Sequence, residues 1–254
     1  MKIIIIAAGW STRLGNETLD IPKGLLKITK KSIIEMQLDL FQENHLSDIT
    51  IITGPNKDKF KFKNVNYIQN KDSKNQEVLG SLMKSKSIMN DEVLTSYSDI
   101  IFDASIFRSM LGFKGDIGIA VDLDWEKKYL TRTQHPKSEA DNVLIENHKI
   151  LKIKKNIKSK STQNLGEFLG LMKLSKKGAK IFVEKFNHLM KFHEGKFQDA
   201  PSIKKAYLTD MLQELIDSGI LVEPIIINGK WYEIDTPQDL QIARKNIKDL
   251  QIDL

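Results

Sequence analysis

The alternation of hydrophobic and polar positions along the chain predicts a sheet whose strands are separated by helices. Four consecutive isoleucines, Ile3–Ile6, cannot alternate between two faces, so they are typical of a strand that is buried on both sides. The apolar residues of Ser32–Leu46 recur with the spacing of an amphipathic helix, and Asp48–Gly54 has the composition of a second buried strand. This order of strand, helix and strand predicts parallel strands connected by helices.

The rest of the chain continues this alternation, with one interruption. Val143–Ile153 has the pattern of a β-hairpin that turns at Asn147 and His148, so we predict an antiparallel excursion at about residues 140–165. Further strands are predicted at Val65–Ile68, Glu92–Tyr97, Asp116–Asp122, Gly166–Met172, Val222–Ile227 and Trp231–Asp235, and further helices at Glu77–Met89, Lys176–Phe192, Ile203–Ser218 and from Thr236 onward. The predicted fold is a three-layer α/β/α, Rossmann-like, mixed but mainly parallel sheet with a β-hairpin excursion.

Length and composition are those of a globular protein with one core. The chain has 254 residues, of which 41% are hydrophobic and 28% charged, and no apolar run approaches the length that spans a bilayer. Met1 and Lys2 lead directly into the first strand, and the sequence contains no cysteine. We therefore predict a single domain over residues 1–254, no signal peptide, no membrane insertion and a cytoplasmic location.

Basic residues outnumber acidic ones, 39 against 33, which gives a formal net charge of +6. Such an excess suits either nucleic acid or small anionic substrates. Outside His148–Lys160 the cations are interspersed with acids, and no basic stripe carries aromatic residues. The distribution therefore favours small anionic substrates and predicts no nucleic-acid partner.

The stretch after the first strand carries the candidate chemistry. Ala7, Ala8 and Gly9 remove side-chain bulk at the carboxyl end of that strand, where open α/β sheets bind ligands, so a base or a phosphate can approach the backbone. The donors that follow are Ser11, Thr12, Arg13 and Lys23. This pattern predicts phosphate binding, although neither the Walker motif nor G-x-G-x-x-G is present. The alternative is a tight strand-to-helix turn followed by ordinary surface cations.

Two acidic residues each follow a predicted strand. They are Asp99 and Asp235, and Mg²⁺ is held by one or two carboxylates together with phosphate oxygens. With Arg13 and Lys23 they predict a site for Mg²⁺ and a triphosphate. Asp99 has an alternative role as a helix cap, although Asp103 is better placed for it.

These motifs resemble the signature of the nucleotidyltransferases that make NDP-sugars and CDP-activated alcohols. Their A-A-G-x-G-[ST]-R and P-K motifs correspond to Ala7–Arg13 and Pro22–Lys23, with Ser11 in place of the usual second glycine. Asp99 matches their first metal-binding acid, and Tyr232–Thr236 resembles the W-x-E-[IV]-D-T strand that supplies the second. The resemblance implies the nucleotidyltransferase fold, Mg²⁺ as cofactor, a nucleotide-binding half at about 1–122 and an acceptor-binding half at about 123–254.

Later strings are most similar to the CTP-using branch of that superfamily, which serves phosphocholine, 2-aminoethylphosphonate and, in capsule-modification pathways, phosphoglutamine. They are Asp124-Trp125, Tyr129, Arg132, His135-Pro136, Glu139-Ala140, Gly166-Glu167-Phe168 and Lys205–Asp210. The resemblance implies a cytidylyltransferase that transfers CMP from MgCTP to a small phosphorylated amino or amide compound and releases pyrophosphate. Phosphoglutamine is the favoured acceptor, with a role in capsule or surface-polysaccharide modification.

The expected site residues fall into three groups. Catalysis is assigned to Arg13 and Lys23, nucleotide binding to Ala7, Ala8, Gly9, Ser11, Thr12, Gln76, Gly80, Ser81 and Asp99, and metal binding to Asp99 and Asp235. The acceptor is expected at Tyr129, Arg132, His135, Lys155, Glu167 and Asp210, where cations meet its phosphate and acids meet an ammonium group. The alternative is that Arg132 and Glu167 form a structural ion pair and Asp210 caps a helix.

Two other functions share much of this site. A sugar-1-phosphate nucleotidyltransferase would use the same loop and both acids, and a non-catalytic module would bind a nucleotide without releasing pyrophosphate. The presence of both Asp99 and Asp235 favours an enzyme. The predicted partners are CTP and a small phosphorylated acceptor, and a homodimer is a further candidate.

Overall fold

A computed structural model of the protein describes residues 1–9, 13–15 and 21–250. Its strands are β1 (Lys2–Ala7), β2 (Ile49–Thr53), β3 (Asn66–Gln69), β4 (Val93–Tyr97), β5 (Ile100–Phe102), β6 (Ile117–Asp122), β7 (Asp141–Glu146), β8 (Lys149–Lys155), β9 (Asn164–Leu174), β10 (Glu223–Ile226) and β11 (Trp231–Glu233). Its α-helices are α1 (Ile33–Glu43), α2 (Val78–Leu82), α3 (Ala104–Gly112), α4 (Glu126–Tyr129), α5 (Lys176–Phe192), α6 (Leu208–Asp217) and α7 (Pro237–Asn246).

A mixed, mainly parallel sheet forms the centre of the fold, as predicted. Its strands lie in the order β10–β6–β9–β4–β1–β2–β3, while β5 and β11 pair separately. The neighbours β4–β1–β2–β3 and the pair β10–β6 are parallel, and β9 is antiparallel to both β4 and β6. The carboxyl ends of β1 and β4 therefore meet at one edge of the sheet.

The isoleucines of β1 divide between two hydrophobic cores. Ile4 and Ile6 pack with α2, α5 and α6 on one face, and Ile3 and Ile5 pack with α1 and α3 on the other. All four are at most 7% exposed. Because successive side chains of a strand point to opposite faces, this arrangement confirms a strand that is covered on both sides by helical layers.

The predicted hairpin is also confirmed. β7 pairs with β8 in antiparallel register, and Asn147 and His148 between them have φ angles of 50° and 61°. A two-residue turn in the left-handed region matches the twist of the flanking strands, and Asn is among the residues that tolerate it. β7 also pairs with β9, so the hairpin extends from the central sheet.

Three predicted elements differ in extent or kind, and one strand was not predicted. The predicted helix Glu77–Met89 is α2 followed by a 3₁₀ segment, Met83–Ile88, and the helix predicted from Ile203 begins at Leu208. Proximity to Asp210 explains the second difference, because its side chain accepts the Tyr207 N–H and starts α6 there. The strand predicted to reach Asp235 ends at Glu233, and the unpredicted strand β5 pairs with it.

Among the described residues, we find no helix with both the length and the apolar character needed to cross a membrane.

Candidate active site

A cleft of about 460 Å³ opens at the carboxyl ends of β1 and β4. Its lining combines residues from the first loop, from the start of α2, from the end of β4 and from the hairpin. They include Ala7, Ala8, Gly9, Arg13, Lys23, Ser73, Gln76, Ser81, Tyr97, Asp99, His135, Glu139, Asp141, Lys155, Tyr207, Glu233 and Asp235. Much of the predicted nucleotide half and part of the predicted acceptor half thus share one cavity.

The first loop presents backbone and one cation to this cleft. Ala7 and Ala8 are buried, Gly9 is exposed, and a Cβ on Gly9 would have open space within 4 Å. The Arg13 guanidinium lies 2.8 Å from Asp235 Oδ2, while 55% of its side chain remains exposed. Ser11 and Thr12, also predicted to contact the nucleotide, lie outside the described residues.

Lys23 lies between the two predicted metal-binding acids. Its ammonium group donates to Asp99 Oδ2 at 2.7 Å and to Asp235 Oδ1. Only 14% of the Lys23 side chain and 4% of the Asp235 side chain are exposed. Burial alone would lower the pKa of Lys23, but the two carboxylates outweigh it and raise the pKa above its usual value. Burial alone would raise the pKa of Asp235, but the positive charges of Lys23 and Arg13 outweigh burial and lower this pKa.

Local structure fixes both acids. Asp99 occupies the turn between β4 and β5, where its backbone oxygen accepts the Ile234 N–H at 2.8 Å. Asp235 precedes α7, and its N–H donates to Asp239 Oδ2, the carboxylate that also accepts the Thr236 N–H at the start of that helix. The strand pairing and the helix cap thereby place two carboxylates from distant parts of the chain beside one ammonium group.

The pair Asp99 and Asp235 suits Mg²⁺ by chemistry. Mg²⁺ binds oxygen donors, commonly one or two carboxylates with substrate phosphates. Asp99 Oδ1 is buried and has no hydrogen-bond partner within the described ranges, so one carboxylate oxygen remains available. A buried acceptor without a partner is unfavourable unless a ligand uses it.

The predicted base-binding residues lie around the start of α2. Gln76 and Ser81 line the cleft, and Gln76 Oε1 is buried without a partner among the residues the structure describes. Ser81 Oγ accepts the Asn70 side-chain N–H at 3.0 Å. Gly80 packs closely against the Gln76 side chain, since a Cβ on residue 80 would come within 2.9 Å of Gln76 Cβ. Gly80 therefore leaves room for the Gln76 side chain.

The acceptor side of the cleft is rich in carboxylates. Lys155 lies 2.7 Å from Glu139 Oε2, and Asp141 lies beside them. Burial raises the pKa of Asp141 to about 6, although the positive charge of Lys155 opposes this shift. A recess of about 30 Å³ continues from this side and is lined by Asp141, Glu167 and Tyr97, among other residues.

Glu167 and Tyr129 form one hydrogen-bonded pair at this recess. The Tyr129 hydroxyl donates to Glu167 Oε1, while Glu167 Oε2 is buried without a partner in the described part of the chain. Burial raises the pKa of Glu167 to about 7, against the opposing effects of Tyr129 and Arg132. Tyr129 therefore affects the recess through its hydrogen bond to Glu167.

Two of the predicted acceptor residues have structural partners instead. Arg132 is 7% exposed and contacts Asp239 at 2.8 Å and Glu233 at 3.2 Å, so it is buried in ion pairs, and neither pair is with Glu167. Asp210 accepts the N–H groups of Tyr207 and Asp199 and caps α6, as the alternative interpretation held. Sequence spacing does not show these partners, because Asp239 lies 107 residues after Arg132.

Several residues that line the cleft were not predicted as site residues. Among them are Tyr97, Asp141, Tyr207 and Glu233. Tyr97 and Glu233 each stand two residues before a predicted metal-binding acid, and this spacing was the available signal. The side chains of Asp141 and Tyr207 reach the cleft only because the hairpin and α6 pack together, which is a tertiary effect.

Replacing Arg132 by Ala should destabilise the protein by about 3 kcal/mol, because the buried Asp239 and the half-buried Glu233 would lose their cation. Urea unfolding measures this change, and Lys127→Ala, at a pair whose side chains are 74% and 73% exposed, is the matched control with a change below about 1 kcal/mol. Equal stability of the two variants would contradict the structural role. In that case Arg132 would be available for the acceptor.

Comparisons with known proteins identify a family and several relatives. Residues 3–129 match the family model of the MobA-like NTP transferase domain. The chain is 23% identical over 261 residues to the CTP:phosphoglutamine cytidylyltransferase of Campylobacter jejuni, covering 95% of this chain and 98% of that protein. Another curated relative, from Methanococcus vannielii, is longer, and the chain spans 54% of its length.

Solved structures share the fold over nearly the whole chain. The CTP:phosphocholine cytidylyltransferase of Streptococcus pneumoniae superposes with a TM-score of 0.71 at 20% identity, covering 97% of this chain and 98% of that one. A Bacillus anthracis protein assigned as a glucose-1-phosphate thymidylyltransferase gives a TM-score of 0.72 at 18% identity, covering 100% of this chain and 98% of that one. At these identities the likeness establishes the α/β fold.

Proposed function

The chain belongs to the family of MobA-like NTP transferase domains, and from this premise we propose that it is a Mg²⁺-dependent cytidylyltransferase. It transfers CMP from CTP to a small phosphorylated compound that carries an amino or amide group, with phosphoglutamine as the favoured acceptor. Similarity to the Campylobacter jejuni phosphoglutamine enzyme over almost the full length of both chains supports the choice of nucleotide and acceptor.

The observation that carries the proposal is the position of Lys23 between Asp99 and Asp235 in the cleft, with Arg13 on the second of these acids. Two cations and two carboxylates at one point can hold a triphosphate and its metal ion. Mg²⁺, held by Asp99 and Asp235, would neutralise charge on the phosphates.

The reaction needs no general base from the protein. An ionised phosphate oxygen of the acceptor attacks the α-phosphorus of CTP, and a new oxygen–phosphorus bond forms. The bond from that phosphorus to the oxygen bridging the α- and β-phosphates breaks, and pyrophosphate leaves with the electron pair. Lys23 and Arg13 stabilise the charge that develops on this bridging oxygen, so catalysis rests on positioning and electrostatics.

Carboxylates on the acceptor side favour a cationic head group. Asp141, Glu139 and Glu167 lie around the recess or at its mouth, and Lys155 is the cation beside them. An ammonium group would lie among the carboxylates, and the acceptor phosphate would contact Lys155. A neutral head group would leave the buried Glu167 Oε2 without a partner.

The affinity for such an acceptor should depend on pH. Burial raises the pKa of Asp141 to about 6 and that of Glu167 to about 7, so both are neutral in acid and attract an ammonium group only when ionised. We expect the acceptor KM to fall as pH rises from about 5.5 to about 8, by up to about tenfold per pH unit below pH 7, while the CTP KM changes little.

Because the acceptor phosphate also titrates near pH 6, the Glu167→Gln variant provides the control. It should keep the titration of the acceptor and lose the part that Glu167 contributes. Identical pH profiles for the wild type and this variant would exclude Glu167 from acceptor binding.

A screen of pyrophosphate release tests the function directly. The four common NTPs are each combined with phosphoglutamine, phosphocholine, phosphoethanolamine, 2-aminoethylphosphonate and hexose 1-phosphates, in the presence of Mg²⁺. We expect CTP with an amino or amide acceptor to give the highest kcat/KM. Preferred turnover of a hexose 1-phosphate with UTP or dTTP would show a sugar-1-phosphate nucleotidyltransferase, and CTP binding without turnover would show a non-catalytic module.

A further inference from the structure

A buried histidine faces the acceptor side of Asp235. His135 is 2% exposed, and its Nδ1 has no hydrogen-bond partner among the residues described by the structure. This atom lies 3.4 Å from Asp235 Oδ2, and the imidazole contacts the Tyr129 ring edge-on at 5.8 Å. Leaving a buried ring nitrogen without a hydrogen-bond partner is unfavourable, so a ligand that binds this nitrogen would remove the cost.

The two oxygens of Asp235 face different groups. Oδ1 accepts from Lys23, which also binds Asp99, and Oδ2 faces His135 and Arg13. The proposed Mg²⁺ site with Asp99 therefore lies on the Oδ1 side of the carboxylate. A second cation on the Oδ2 side would share Asp235 as a bridging ligand without using Asp99.

Glu233 supplies a third ligand on the His135 side. It stands two residues before Asp235, and one potential ligand atom from each of His135, Glu233 and Asp235 lies within 4.8 Å of the others. These separations are compatible with ligand atoms that each lie about 2.0–2.2 Å from one ion, after small side-chain adjustments. One imidazole with two carboxylates is a ligand set of borderline character.

We propose that His135, Glu233 and Asp235 form a second divalent-metal site, selective for a borderline ion such as Co²⁺ or Zn²⁺ over Mg²⁺. The nitrogen ligand provides the selectivity, because imidazole suits late first-row metals whereas Mg²⁺ prefers oxygen ligands. Arg13, with a side chain that is 55% exposed, is free to turn from Asp235 toward a phosphate when the ion binds.

The neighbouring charges set the conditions for this site. Arg132 contacts Glu233 Oε2 at 3.2 Å, and Asp239 Oδ2 lies 3.9 Å from His135 Nδ1. Glu233 Oε2 also lies 3.9 Å from His135 Nε2, so Arg132 holds this carboxylate at the proposed site and shares the oxygen with the ion. The proposal goes beyond CMP transfer and requires neither CTP nor an acceptor.

Mn²⁺ is a paramagnetic probe for a divalent ion, and titrating it to saturation into the metal-free, full-length protein tests the site without any substrate. Electron paramagnetic resonance measures free and bound Mn²⁺, and electron spin-echo modulation detects a directly coordinated imidazole nitrogen. We expect nitrogen coupling in the wild type, no nitrogen coupling in His135→Asn, and an affinity at least about tenfold lower in that variant. The matched control His188→Asn, at an exposed position on α5, should keep both signals.

Two outcomes would overturn the proposal. One is Mn²⁺ bound to the wild type without nitrogen coupling, and the other is coupling that persists unchanged in His135→Asn. If His135→Asn does not fold, Asp99→Asn decides, since it removes the ligand of the proposed Mg²⁺ site alone and should retain the nitrogen coupling. An enzyme that fails to transfer CMP would still show this coupling, so failure of the proposed function and failure of this site are distinguishable.

Discussion

Asp235→Asn should lower the rate of pyrophosphate release from CTP by at least about 10²-fold at saturating Mg²⁺. Asp235 is the point at which Lys23, Arg13 and the proposed metal ions meet, and only 4% of its side chain is exposed. An amide is neutral and has one acceptor oxygen, so it cannot pair with both cations or hold a divalent ion well. Asp99→Asn should show a similar loss, because it removes the other carboxylate beside Lys23.

Initial rates with the acceptor identified by the screen measure this effect. Asp124→Asn is the matched control, because the Asp124 side chain is 73% exposed and pairs only with Lys127 in the part of the chain that the structure describes. It should retain the wild-type rate. Full activity in Asp235→Asn would refute the assignment of this residue to the metal and the triphosphate.

The elements that the sequence predicted well are those with local signals. A strand of consecutive isoleucines buries all of its side chains only if a hydrophobic core covers each face. In the structure, Ile3–Ile6 divide between two such cores. The turn at Asn147 and His148 likewise follows from residues that tolerate left-handed backbone between two alternating segments. Neither sequence signal depends on distant parts of the chain.

The acceptor side was harder to predict because its geometry depends on long-range packing. The pairing of Arg132 with Asp239 follows from how α7 packs against the segment after α4, and no short-range spacing encodes it. Tyr97 reaches the cleft beside Gly170, which has a φ of 79° and where a Cβ would collide with the Tyr97 ring. From the sequence, Gly170 is only a glycine in an apolar strand.

The sequence therefore predicted which charges are present better than it predicted the groups with which they pair. Lys155 and Glu167 line the cavity or its recess, whereas Arg132 and Asp210 contact structural partners. A cation or an acid near a binding site has the same sequence signature whether it binds a ligand or a buried countercharge. Burial separates the two roles, and burial is a property of the folded chain.

Lys23→Met should affect both turnover and stability, because the lysine is the cation between two carboxylates. Methionine keeps most of the side-chain length and removes the charge. We expect kcat to fall by about 10²-fold, since the ammonium group stabilises charge that develops as pyrophosphate leaves. Without metal, the variant should lose about 3 kcal/mol of unfolding free energy, because Asp99 would lose its Lys23 partner and the buried Asp235 would keep only the half-exposed Arg13.

Added Mg²⁺ should restore part of that stability but little of the turnover, since a divalent ion replaces the missing charge between the acids and cannot replace the donor to the leaving group. Urea unfolding with chelator and with Mg²⁺ separates the two effects, and Lys127→Met, at a side chain that is 74% exposed, is the control. If Lys23→Met weakens CTP binding and kcat/KM by the same factor with kcat unchanged, the lysine binds the ground state and the transition state equally. It would then anchor the nucleotide without contributing to the chemical step.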